Sequence, residues 1–219
     1  MDVRESYDEW SKQYDSNKNK TRDLEAIALR KILAGYHFAN GLEVGCGTGK
    51  NTLWLQNVCD QLEAIDLSAE MLSIAKKKVA SENVTFLQAD INGSWDVTSV
   101  LFNLITFSLV LEHIEDLETV FYKAFQKLRA GGLVYIGELH PFKQYTGTKA
   151  RFETAEGMQI VACYNHHVSD FTKAAKQAGF EIQNVEEWFD NSDRETIPRI
   201  LTMVFKKPNK EKFTLKTAI

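Results

Sequence analysis

Apolar and polar positions along the chain alternate between two periods. Short runs rich in β-favouring residues lie at 41–44, 62–66, 84–88, 103–108 and 133–136, and the run at 103–108 is nearly all apolar at its centre. Between them, apolar residues recur every three or four positions. The first helical stretch, 21–33, places Leu24, Ile27 and Ala28 on one face. Ser68 is a good N-cap for a helix through Ala80 that turns Met71, Leu72, Ala75 and Val79 inward. Asp116 opens the clearest amphipathic stretch, with Leu117, Val120, Ala124, Phe125 and Leu128 in one stripe and Gly131-Gly132 as its stop. Phe171, Ala174, Ala175 and Ala178 mark a helix over 169–178 that ends at Gly179, and strands at 180–189 and 200–206 close the pattern. Shorter helices are expected at 51–57 and 94–101. Such alternation predicts an α/β fold, a doubly wound, mostly parallel seven-stranded sheet with helices on both faces.

Three stretches break the rhythm. Residues 1–22 are polar except for Tyr7, Trp10 and Tyr14, spaced for one face of a short helix. Residues 140–167 form an insertion after the fifth strand. His140-Pro141 ends that strand, and 151–154 with 159–164 read as a β-hairpin around 155–158. An insertion at the ligand rim suits a lid or substrate wall, and a plain decorative hairpin remains the alternative. From Pro208 onward the chain bears lysines and no pattern, which predicts a frayed tail over 208–219. The expected organisation is one domain over 1–207.

Candidate chemistry gathers at the strand ends. Gly45, Gly47 and Gly49 follow the first strand directly, where glycine lets the backbone turn sharply and approach a ligand. The second strand ends in Asp66, the third leads to Asp90, and the fourth ends at Phe107-Ser108. Carboxyl ends of parallel strands are where such sheets bind ligands. A dinucleotide site is excluded by spacing: its G-x-G-x-x-G/A turn needs a small residue where this chain has Lys50.

Glu43-Val44-Gly45-Cys46-Gly47-Thr48-Gly49, then Ile65-Asp66-Leu67-Ser68 with Met71-Leu72, then Gln88-Ala89-Asp90-Ile91, resembles the class I S-adenosylmethionine-dependent methyltransferases, of the small-molecule, type 11/12-like kind. The likeness covers residues 1–139 well and the remainder in outline. It implies a Rossmann-like fold with an antiparallel last strand, S-adenosyl-L-methionine as methyl donor and S-adenosyl-L-homocysteine as product. It implies that Glu43 orients the methionine ammonium and that the backbone of Gly45, Cys46, Gly47 and Thr48 lies close to the amino-acid moiety. Asp66 would accept both ribose hydroxyls, and Leu67 and Met71 would sandwich adenine. Asp90 would accept from the exocyclic amine beside the Ile91 N–H, and Phe107 and Ser108 would border the sulfonium. The segment from Tyr7 resembles the one that closes over the cofactor, with Tyr14 nearest the methionine end. By spacing alone, Met71 also reads as core and the two aspartates as strand-end caps.

Composition narrows the partners. A net charge of −4 across 219 residues gives no global field for nucleic acid or an anionic membrane. No run approaches the length of a membrane span. Cys46, Cys59 and Cys163 lack zinc or disulfide spacing, so no metal is expected and the expected setting is cytoplasmic, as a monomer or homodimer.

Displacement at a sulfonium methyl requires alignment and exclusion of water more than a nucleophilic side chain. The insertion supplies Lys143, Lys149 and Arg151, with Tyr145, Tyr164 and His167 around them, which fits a small acceptor with an anionic group or ionisable hydroxyl gripped by Arg151. His113 or His140 would take the proton, although either serves equally as a structural histidine. Of the neighbours His166 and His167, at most one faces the site. A carrier-bound acid or a quinone precursor as acceptor, or a non-catalytic S-adenosylmethionine-binding module, are the competing readings.

Overall fold

The computed structural model describes residues 2–95, 100–154 and 157–209. Nine strands follow in chain order: β1 Phe38–Val44, β2 Cys59–Asp66, β3 Val84–Gln88, β4 Phe102–Ser108, β5 Leu128–Leu139, β6 Arg151–Thr154, β7 Gly157–Ile160, β8 Glu181–Trp188 and β9 Ile200–Lys206. Seven of them form one sheet in the order β3-β2-β1-β4-β5-β9-β8, while β6 and β7 make a separate hairpin. β1 to β5 pair parallel, and β9 runs antiparallel to both of its neighbours. The helices are α1 Val3–Tyr14, α2 Lys20–Ile32, α3 Thr52–Leu55, α4 Ala69–Lys78, α5 Leu117–Lys127, α6 Pro141–Tyr145 and α7 Val168–Ala178.

Strand periodicity assigns each side chain to a layer. Val44, Ile105, Phe107, Ile136 and Met203 pack with Val120, Phe121 and Ala124 of α5 and Phe171 and Ala174 of α7. Leu62, Leu104, Leu133, Tyr135 and Val204 point the other way, onto Leu29, Leu33 and Leu55. Each such side chain contributes roughly 1.5–3 kcal/mol on burial. Both faces are therefore covered, and the rim at the carboxyl ends of the strands is left to bind.

Several local expectations change. Ile27 is 46% exposed, because the inward face of α2 runs through Glu25, Leu29 and Leu33 at intervals of four. Gly131-Gly132 does not stop α5. That helix ends at Lys127 and passes directly into β5, where the glycine pair lies inside the strand at a register shift. A Cβ on Gly132 would stand 2.7 Å from Leu128 and 3.1 Å from the Asn103 carbonyl, so bare backbone is needed there. α6 is unforeseen: Pro141 takes its first position and the His140 ring caps it. The hairpin's second strand begins at Gly157 and ends at Ile160, earlier than expected, after which the Tyr164 N–H donates to the Glu112 carbonyl at 2.7 Å. Of the helix expected at 94–101, residues 96–99 lie outside the described residues, and 94–95 and 100–101 are irregular. Residues 155–156 of the hairpin turn and 210–219 of the tail also lie outside them. No described helix is long and apolar enough to cross a membrane.

Candidate active site

Connections from β1 through β2 to β3 run one way along the sheet, and those from β4 to β5 run the other. The crevice lies beyond the carboxyl ends of β1 and β4, the topological switch point. The turn after β1 is pinned there: the N–H groups of Gly45 and Cys46 both donate to the Ile65 carbonyl, at 2.9 and 3.0 Å. Gly45 has φ +75°, and a Cβ on it would sit 2.7 Å from Val110. Gly47, at φ +53°, has open space where its Cβ would be, so the backbone is free for close approach by a ligand.

Asp66 joins this turn to β2. One carboxylate oxygen accepts from the Gly47 N–H at 2.7 Å and the other from the Ser68 N–H at 2.9 Å. Burial pushes its pKa up, and those two donors oppose the rise. Two lone-pair sites are left for hydroxyls. Asp66, Leu67, Asp90, Ile91, Ser108 and His113 all border one cavity of about 140 Å³. Asp90 is set by accepting from the Asn92 N–H at 2.8 Å, and Ile91 by a bond from the Trp95 indole to its carbonyl at 2.9 Å.

Beside the glycine turn lies a pocket lined by Glu43, Glu25, Cys46, Thr48 and Ser108. Glu43 is buried and accepts from the Thr52 hydroxyl at 2.5 Å, which ties β1 to α3. Burial, reinforced by Glu25 and Asp66, pushes its pKa up to about 8. Glu25 accepts from the Asn51 amide at 2.9 Å and the Tyr135 hydroxyl at 3.1 Å, and burial raises its pKa too. The turn after β4 is unusual: Leu109 has φ +54° and borders both cavities. Glu138, buried at the end of β5, holds it by accepting from the N–H groups of Val110 and Leu111 at 3.0 and 2.9 Å.

α1 closes this rim. Asp8 accepts from the Ser68 hydroxyl at 2.5 Å, and Asp15 from the Thr48 hydroxyl at 2.8 Å and the Lys78 ammonium at 2.7 Å. Tyr7 meets His113: its hydroxyl stands 2.7 Å from Nε2, while Nδ1 stands 2.7 Å from the Ala162 carbonyl. A carbonyl only accepts, so Nδ1 carries a proton and donates to Ala162, which leaves Nε2 facing the phenol. A second cavity of about 230 Å³ shares Tyr7, Tyr14 and Leu109 with the first and continues to Glu112, Lys149 and Arg151. Trp10 stacks on Phe152 of β6 at 5.2 Å, so α1 and the hairpin wall it together. Glu112, His113 and Cys163 present ligand-type atoms within 4.8 Å of one another, but a metal would have to displace one of the two bonds that His113 already makes.

Not every expected residue reaches the rim. Met71 is fully buried and Phe107 packs in the core against Trp95, and neither borders the cavities. Cys46 and Thr48 do line the pocket beside the glycine turn, with the Cys46 thiol packed toward Ala64 and Leu72 and the Thr48 hydroxyl bonded to Asp15. His140 is held away from the cavities, accepting from the Phe142 N–H and pairing with Glu187 at 3.2 Å. Tyr145 and His167 bond each other on the exposed surface, and Tyr164 is exposed as well. His166 is buried, donating to the Ile114 carbonyl at 2.7 Å. Sequence reasoning missed Glu25, Glu112 and Glu138. Each is an acid at an otherwise apolar, inward position, and that placement is the signal that could have found them.

A family model described as a methyltransferase domain matches residues 42–136, from within β1 into β5. That stretch takes in the glycine turn, Asp66, Asp90 and Ser108, the rim residues at the carboxyl ends of β1 to β4. The chain is 28% identical over 182 residues to a ubiquinone biosynthesis O-methyltransferase of Xanthomonas euvesicatoria, covering 74% of its own length and 70% of that relative. To a malonyl-[acyl-carrier protein] O-methyltransferase of Enterobacter lignolyticus it is 32% identical over 117 residues, spanning 53% of the chain and under half, 45%, of that relative. Its fold matches the N-methyltransferase NodS from Bradyrhizobium japonicum, solved with S-adenosyl-L-homocysteine, with a TM-score of 0.70 at 20% identity over 95% of the chain and 100% of that structure. The site fits such a ligand chemically. The buried acids around the glycine turn, Glu25 and Glu43 in the pocket beside it and Asp66 in the adjoining cavity, suit an ammonium and hydroxyls.

Proposed function

We propose that the chain is an S-adenosylmethionine-dependent methyltransferase acting on a small-molecule acceptor held in the second cavity, under α1 and the β6–β7 hairpin. The observation that carries this reading is the junction of the two cavities at Tyr7, Tyr14 and Leu109, with the Tyr7–His113 pair beside it. S-adenosylmethionine supplies an electrophilic methyl carbon on a sulfonium. The chain's own residues bind, orient and exclude water. Asp66 takes the ribose hydroxyls and Asp90 and Ile91 the adenine edge, while Glu43 and Glu25 receive the ammonium. Tyr14, stacked under the Arg22 guanidinium at 3.9 Å, closes the methionine end. The acceptor's proton leaves toward the cluster of Tyr7, His113 and Glu112. Arg151 and Lys149, exposed at the mouth, meet an acidic group of the acceptor. His140, which caps α6, has no part in the chemistry. Free Cys46, Cys59 and Cys163 support a cytoplasmic setting.

Titration calorimetry tests the foundation. The protein binds S-adenosylhomocysteine and not NAD, and Asp66→Ala weakens the binding by on the order of 1–3 kcal/mol, as hydroxyls lose a charged acceptor. NAD binding without S-adenosylhomocysteine binding refutes the reading.

A further inference from the structure

Glu112 differs from the other buried acids of the rim. Glu43, Glu25 and Glu138 each accept from an amide, hydroxyl or backbone N–H of the protein, whereas Glu112, among the described residues, draws only on the weak thiol donor of Cys163. The Glu112 side chain is 8% exposed, yet its Oε2 has no hydrogen-bond partner among the described residues. Its Oε1 stands 3.9 Å from His113 Nε2, too far for a hydrogen bond, and that nitrogen is already bonded to the Tyr7 hydroxyl. Glu112 borders the second cavity, beside the junction with the first. A buried carboxylate oxygen without a donor is costly, so a ligand that brings one to Oε2 is favoured there. The wall around it is formed by Tyr7, Trp10 and Tyr14, and ring faces favour a cation over a neutral hydroxyl. Arg22, which lines the same cavity, already stacks on Tyr14 at 3.9 Å.

We propose that the acceptor presents an amine nitrogen to Glu112 and that this nitrogen is the atom methylated. The inference rests on the proposed function and narrows it to N-methylation. Lys149 and Arg151 on the same cavity make no ion pair among the described residues, so an acceptor bearing both an amine and an acidic group, in the manner of an amino acid, satisfies both ends. The arriving ammonium pairs with the Glu112 carboxylate and yields one proton to it, which frees the nitrogen lone pair. That lone pair forms the carbon–nitrogen bond as the carbon–sulfur bond breaks. The bonding electrons stay on sulfur, which loses its positive charge, and the nitrogen becomes a methylammonium. Glu112, again beside a cation, releases its proton to solvent, so one proton leaves per turnover.

The experiment uses the full chain, methyl-labelled S-adenosylmethionine, and two matched panels: amino acids with aromatic or aliphatic side chains, and the hydroxy acids of the same skeletons. Both panels satisfy Arg151, and only the first satisfies Glu112. The expected product is alkali-stable N-methyl, formed from the amino acids alone. With S-adenosylhomocysteine bound, Glu112→Gln weakens binding of the best amine by more than about tenfold, as loss of a buried charge partner does. It leaves affinity for the hydroxy acid and for S-adenosylhomocysteine unchanged. Glu112→Asp, which keeps the charge, recovers part of the loss, and with the two panels it decides the matter should the glutamine variant not fold. Methylation of the hydroxy acids in preference, of neither panel, or equal turnover of the amine by wild type and Glu112→Gln overturns the inference while S-adenosylhomocysteine binding still stands. Failure to bind S-adenosylhomocysteine at all brings down the proposed function itself.

Discussion

Glu43 makes the stability of this enzyme fall as pH rises, and Glu43→Gln removes that loss. The carboxyl's ordinary pKa is 4.5, and in the fold burial pushes it to about 8. Between those values the unfolded chain has released the proton and the folded chain still holds it. The unfolded state binds fewer protons, so stability declines with pH across that window and is fully present only below the unfolded pKa. A gap from 4.5 to about 8, at about 1.4 kcal/mol per pH unit, sets a ceiling near 5 kcal/mol. Glutamine has the same shape, stays neutral and still accepts from Thr52, so near pH 5 the two proteins should agree within about 1 kcal/mol.

The assay is urea unfolding of ligand-free protein by circular dichroism at intervals from about pH 5 to pH 8.5, with wild type and Glu43→Gln in parallel. Other buried acids titrate in both proteins and largely cancel in the difference. Glu25 does so less completely, because its charge raises the Glu43 pKa and it is itself eased when Glu43 is gone. The variant should overtake wild type by several kcal/mol at the alkaline end. Parallel curves refute the reasoning and mean that Glu43 is ionised in the empty site.

Three further outcomes follow from the geometry. Gly45→Ala combines a positive φ with a contact of 2.7 Å to Val110, and should cost about 2–3 kcal/mol in chemical denaturation, against about 1 kcal/mol for Gly47→Ala, whose Cβ meets nothing. Amides of Tyr7–Tyr14 should gain protection from hydrogen exchange when S-adenosylhomocysteine is added, since a polar helix held by Asp8 and Asp15 is ordered by what it covers. In single-turnover methyl transfer, His113→Ala should slow the step by about 10²-fold or more, whereas His140→Ala should lower the melting temperature and leave the rate of folded protein alone.

The sheet was legible because its central strands are short apolar, β-favouring runs, with a glycine turn and acids at fixed places along them. Leu62–Asp66 and Val84–Gln88 follow from local pattern, and the edge strand β8, mostly exposed, was still marked by Gly179 before it and its apolar partner β9 after it. Less legible was anything decided across the sequence. α6 depends on the His140 ring capping a proline-led turn and reaching Glu187 on β8, a contact 47 residues away. Phe107 was expected at the ligand because it ends β4, but strand alternation turns it into the core and leaves Ser108, Leu109 and Val110 on the rim. Tyr7 reaches His113 across 106 residues, a pairing that no local spacing reveals.

The acids missed in the sequence explain the rim as a unit. Glu25, Glu43, Glu112 and Glu138 are all buried, and the pKa of each is raised chiefly by burial. They also repel: Glu25 raises Glu43 and Glu138, and Glu112 raises Glu138 as well. Four carboxylates ionised together in one desolvated rim would be untenable without counter-charge. A methyl donor that carries an ammonium and a sulfonium would supply part of it, and the proposed amine acceptor would add another. Glu138 spends its acceptor capacity differently, on the N–H groups of the turn where Leu109 holds a positive φ between the cavities. Strain of that kind persists only where neighbours over-determine it. The acid that secures the turn and the acids proposed to receive positive charge thus lie within electrostatic reach of one another, as the pKa each raises in its neighbours shows.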